Sequence, residues 1–83
     1  MFSAELQAVQ DAINGFVQAA GVSVDRVDIV NVGTERRVTI ASDTGVECQM
    51  SLDCIVLSAD PKAFGAKEGV RHAHTHPQYK HTL

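Results

Sequence analysis

The stretch RRVTIASDTGVECQMSL, residues 36–52, decides the fold. Its first half alternates, with Val38 and Ile40 on one face of an extended chain and Arg37, Thr39 and Ala41 on the other. Asp43-Thr44-Gly45 is a hairpin signal, because glycine supplies the positive φ that a tight reversal needs. The second half alternates more strictly. Val46, Cys48, Met50 and Leu52 point inward, while Glu47, Gln49 and Ser51 point outward. Two such strands form an antiparallel pair that is half-buried and needs a cover on one side only.

Upstream, DRVDIVNV (residues 25–32) is β-branched and roughly alternating, with Val27 and Ile29 on one face and Val30 and Val32 on the other. Gly33-Thr34-Glu35 reads as the turn into the next strand. Before it the period changes. Phe2, Leu6, Val9, Ile13, Phe16 and Ala20 are spaced alternately four and three apart, which is one stripe of an α-helix. Ser3 is its expected N-cap, Glu5 complements the positive end of the helix dipole, and Gly21 is the expected left-handed C-cap. Gly15 inside the helix costs about 1 kcal/mol relative to alanine, so it is expected to mark a close approach by another element. The opposite face, Gln7, Gln10, Asp11, Asn14 and Gln18, carries no basic residue and suits either plain surface or a wet helix interface between subunits. Downstream, CIVLS (residues 54–58) is apolar on both faces and reads as either a fourth buried strand or a short buried helical turn. Asp60-Pro61 ends it, and Pro61 opens a helix through PKAFGAKE anchored by Phe64, which Gly65 and Gly69 are expected to keep short.

The expected fold is therefore α+β in two layers. An N-terminal helix packs on a three- to four-stranded antiparallel sheet in the order α-β-β-β-(β)-α, followed by a short second helix and a C-terminal tail. Residues 1–69 make a single domain, and residues 70–83 form a His-rich tail or an added strand. Leu6, Ile13, Phe16, Met50 and Leu52 are expected to be buried together. Val30, Val32, Ile55 and Leu57 are expected on the open face. A chain of 83 residues buries only about 60–65% of the surface that its unfolded form exposes. Exposed sheet edges also need covering. Both points predict a homodimer or higher oligomer. The element order resembles that of double-stranded-RNA-binding domains, but the lysine-rich second helix of that family has no counterpart here.

Composition narrows the function classes. The chain is 45% hydrophobic and 20% charged, the balance of a globular protein. Residues 1–60 carry nine acids against Arg26, Arg36 and Arg37, whereas residues 61–83 carry Lys62, Lys67, Arg71 and Lys80 against Glu68 alone. An acidic body argues against nucleic-acid binding, whose non-specific affinity comes mostly from phosphate attraction. No apolar run reaches the roughly 18 residues of a membrane span. The opening MFSAELQAVQ lacks the basic and apolar regions of a secretory signal. Cys48 and Cys54 would lie about 20 Å apart along a continuous strand, too far to bridge, and are expected as reduced thiols in a cytoplasmic protein.

One segment carries possible chemistry: VRHAHTHPQYKH, residues 70–81, in a third of the chain that also holds all four histidines, including His81. If it is extended, His72, His74 and His76 share a face, and imidazoles suit Zn²⁺, Ni²⁺ or Cu²⁺. The outer pair would then have Cα atoms about 13 Å apart, so at most two adjacent histidines share an ion. His74-Thr75-His76-Pro77 resembles the core motif of JAB/MPN-type zinc isopeptidases, and His72 to Pro77 resembles the signature of histidine-triad nucleotide hydrolases. The first family completes its site with a downstream serine and aspartate, absent from residues 77–83. The second has hydrophobic residues where Ala73, Thr75, Pro77 and Gln78 stand. No catalytic and no nucleic-acid-binding residue is assigned. The expected function is a small homo-oligomeric binding or interaction module without catalytic activity or a required cofactor. The rival is a small metal-binding protein or metal-dependent hydrolase using His72, His74 and His76. The first reading predicts weak, pH-dependent binding of Zn²⁺, Ni²⁺ or Cu²⁺ and folding without metal. Thermal unfolding under Zn²⁺ titration checks it: stabilisation approaching about 4 kcal/mol at a thousandfold excess over Kd, abolished by His74→Ala, would favour the rival.

Overall fold

The computed structural model describes residues 3–45 and 47–75, and of His74 and Thr75 only the backbone. The chain runs α1 (Ala4–Ala20), β1 (Val24–Val32), β2 (Glu35–Ser42), β3 (Glu47–Ser51), α2 (Leu52–Leu57), α3 (Pro61–Thr75). The strands form one antiparallel sheet in the order β1-β2-β3. Val38 stands between Ile29 and Met50, and Ile40 between Val27 and Cys48.

The local signals act as their chemistry dictates. The Ser3 hydroxyl accepts from the Leu6 amide at 3.1 Å. At the other end of α1, Gly21 takes φ 70° and its amide donates to the Val17 carbonyl. The β2–β3 turn closes with the Gly45 amide on the Ser42 carbonyl at 3.0 Å, with Gly45 at φ 82°. That turn is tied back to the α1–β1 connection: the Asp43 amide donates to the Ser23 carbonyl at 2.8 Å, and the Ser23 amide donates to the Asp43 carboxylate at 3.3 Å.

Of the two readings left open for residues 54–58, the helix is the one realised. Ser51 leaves the sheet and caps α2, accepting from the Cys54 amide at 3.3 Å, with Asp53 in the first turn. Leu52 and Ile55, three apart, are its buried pair. Ile55 therefore belongs to the core and not to the open face, and Leu52 enters the core from a helix and not from a strand.

The second correction concerns α3. Asp60 caps it, its carboxylate accepting from the Ala63 amide at 3.2 Å and its carbonyl from the Phe64 amide at 3.0 Å. The helix then continues through both glycines to Thr75. These glycines are contact points. A Cβ on Gly65 would sit on the backbone of Ala12, one on Gly69 would lie 2.7 Å from the Phe16 carbonyl oxygen, and one on Gly15 would collide with the Lys62 carbonyl. The contacts advance together along both helices, so α1 and α3 run in the same direction, backbone against backbone. This close approach offsets the helix-propensity cost of all three glycines.

Val9, Ala12 and Phe16 of α1, Val22 in the α1–β1 connection, Val38 and Ile40 of β2, Met50 of β3, and Leu52 and Ile55 of α2 make up the buried core. Ile13 and Phe64 pack against it. Leu6 departs from expectation: it remains 55% exposed, although it lies on the apolar stripe. Replacing Phe16 with alanine is expected to cost about 3–5 kcal/mol, read by chemical denaturation. Gly65→Ala is expected to lower the melting temperature as well, although propensity alone would stabilise by about 1 kcal/mol. A raised melting temperature for Gly65→Ala would refute the close α1–α3 contact.

Candidate functional site

The helices gather over β2 and β3 and leave β1 out. From Asp25 to Val32 every residue of β1 is exposed, on both faces of the strand. Only Val24, at its start, packs against the core. The cross-strand register puts Val27 and Ile29 on the same face as buried Ile40 and Val38. They are thus core-facing by alternation, yet 39% and 50% exposed. Val30 and Val32, on the outer face, are exposed as expected, and so is Leu57 on α2. β1 is also an edge strand of nine residues with neither proline nor lysine, and its outer backbone edge has no partner strand among the described residues. One irregularity interrupts it: the register shifts between Val24 and Arg26, a bulge at Asp25.

The charges around this edge are arranged in pairs. Arg26 bonds Asp28 at 2.8 Å on its own strand and Glu47 at 3.2 Å across the sheet. Arg37 holds Glu35 at 2.8 Å and also reaches the Gln49 carbonyl at 3.4 Å. Arg36 lies between Glu5 at 3.2 Å and Asp53 at 3.6 Å, linking the strand to α1 and α2. The three arginines of the acidic body are therefore each matched to carboxylates, which leaves little positive field for a phosphate backbone.

The histidine segment takes a different form from the extended one. His72 and His74 both lie in α3, where two residues of advance correspond to about 200° around the axis. They do not share a face. His72 is buried, and its ring packs tilted on Phe16 with centroids 5.5 Å apart. His76 and His81 lie outside the described residues, as does the rest of the expected tail from 76 onward. Among the described residues, no group of three metal-ligating side chains comes together.

An open groove of about 430 Å³ runs between α1 and α3 beside Gln18, Asp60 and Lys62. The Asp60 carboxylate is already engaged in capping α3. The cysteines are free thiols, Cys48 half-buried in β3 and Cys54 exposed on α2. Burial, reinforced by the nearby Glu68 carboxylate, pushes the Cys48 thiol above its usual range despite the opposing Arg37 and Arg71. Among the described residues, no helix is long and apolar enough to cross a membrane.

No family model matches the sequence, and neither a curated protein nor a solved structure matches it.

The open Val27–Ile29 strip was not singled out from the sequence, although one sign of it is there. The β1 segment is apolar on both faces, while the helices it could share are already occupied by two other strands. Cys54 is expected to react with a thiol reagent well before Cys48, because a buried thiol with a raised pKa supplies little thiolate. Equal rates at neutral pH, followed by absorbance with each cysteine changed singly to serine, would contradict this placement.

Proposed function

We propose that this chain is a small non-catalytic interaction module that assembles with itself, with β1 as its assembly surface. The observation that carries the reading is the exposure of β1 along its length. An edge strand whose outer backbone groups have no partner strand among the described residues, with Val27, Ile29, Val30 and Val32 in solvent, is a template for another strand. Self-assembly also supplies what a domain of this size lacks, since a second copy adds buried apolar area. A reduced, cytoplasmic setting fits the free thiols.

Sedimentation velocity from about one to one hundred micromolar tests the proposal, and the parent is expected to move to a dimer or larger species within that range. Ile29→Lys places a charge in the open strip, and is expected to weaken association about tenfold or more while leaving the melting profile of the dilute protein unchanged. A parent that stays monomeric across the range would refute the proposal.

A further inference from the structure

The partner strand and its register can be read from β1 itself, given the self-assembly reading above. We infer that two copies pair antiparallel through their β1 edges about a dyad at Val27, so that Arg26 of each copy faces Asp28 of the other. When two identical edge strands pair across a dyad perpendicular to the sheet, each residue faces the one equally distant on the other side of the dyad. Directly opposed residues must also point to the same face. The dyad therefore falls on a residue, and only a few positions are available.

Charge selects among them. A dyad at Asp28 sets that carboxylate against itself, and one at Arg26 sets two guanidinium groups together; like charges directly opposed are unfavourable. A dyad at Ile29 faces Arg26 with Val32 and Asp28 with Val30, leaving both charges against apolar partners. A dyad at Val30 faces Asp28 with Val32 and leaves Arg26 beyond the pairing. With the dyad at Val27, the sequence Arg26-Val27-Asp28 becomes self-complementary, giving two opposite-charge pairs on the outer face and Val27 against Val27 on the core-facing side. Arg26 and Asp28 already lie side by side at 2.8 Å, so pairing turns two ion pairs into an alternating square of four charges. The bulge at Asp25 takes that carboxylate out of the regular alternation, where it would otherwise oppose the second copy's Ile29. The result is one continuous six-stranded sheet with both helix layers on the same face. Its apolar strip is formed by Val27 and Ile29 of both copies.

Two experiments on the full chain test this inference. In the first, Arg26→Asp and Asp28→Arg are made separately. Each places like charges opposite one another twice, and is expected to weaken self-association about tenfold or more. An equimolar mixture restores both pairs and is expected to form the mixed dimer at parental affinity, with circular dichroism confirming that each variant is folded. In the second, cysteine is introduced at Val27 or Ile29 in a Cys54→Ser background. Directly opposed Val27→Cys residues would have Cα atoms about 4.5–5.5 Å apart, within disulfide range, and are expected to cross-link on mild oxidation. The Ile29→Cys residues would be about 13 Å apart and are expected not to do so. Cross-linking through Ile29→Cys instead, or unmixed charge variants that dimerise like the parent, would overturn the register while leaving self-assembly standing. A dimeric protein in which neither Val27→Cys nor Ile29→Cys cross-links would overturn the dyad at Val27. A monomeric parent would remove the self-assembly reading and the register with it.

Discussion

Backbone contact between α1 and α3 governs the rest of the molecule. Gly15, Gly65 and Gly69 let two helices running in the same direction meet without intervening side chains. That contact sets Phe16 into the core and brings His72 onto its ring. With α2 wedged beside them, the helices cover β2 and β3, whose Val38, Ile40 and Met50 are almost completely excluded from solvent. β1 adds only the partly buried Val24 to that core. Among the described residues, the rest of the strand is held mainly by its hydrogen bonds to β2 and by ion pairs such as Arg26–Glu47. Exposed ion pairs are worth about 0–1 kcal/mol each, so β1 depends mainly on its ladder with β2.

Local chemistry was legible from the sequence where the determinants were local. The caps Ser3 and Gly21, the reversal at Asp43-Thr44-Gly45, the strand alternation and the start of a helix at Pro61 all depend on residues close together in the chain. The errors came where a distant contact outweighed a local preference. Gly65 and Gly69 carry a propensity cost that the sequence displays, but the α1 backbone that offsets it lies some fifty residues away. The alternating histidines look like a strand only if the backbone is extended. Once α3 continues through Gly69 to Thr75, the same spacing sets His72 and His74 on different sides of a helix. Leu6 shows the reverse problem. It lies on the apolar stripe, yet more than half of it stays in solvent.

The candidate site was half legible. Alternation placed Val27 and Ile29 on one face and Val30 and Val32 on the other, and the register with β2 agrees. What alternation cannot supply is the extent of the cover. A core-facing position is buried only if something lies over it, and among the described residues the helix layer stops short of β1. Val27 and Ile29 thus combine the address of core residues with the exposure of surface ones. This pattern sets the strip apart from isolated surface hydrophobes, which are common on any protein, and it is the basis of the proposed assembly surface.

Residue-resolved hydrogen exchange at several protein concentrations tests the dependence of β1 on a second copy most directly. Amides of α1, α3 and β2 should be protected at every concentration, whereas protection within Arg26–Ile29 should rise as the protein is concentrated through its association range. Protection of Arg26–Ile29 equal to that of β2 in dilute solution, or unchanged on concentration, would contradict it.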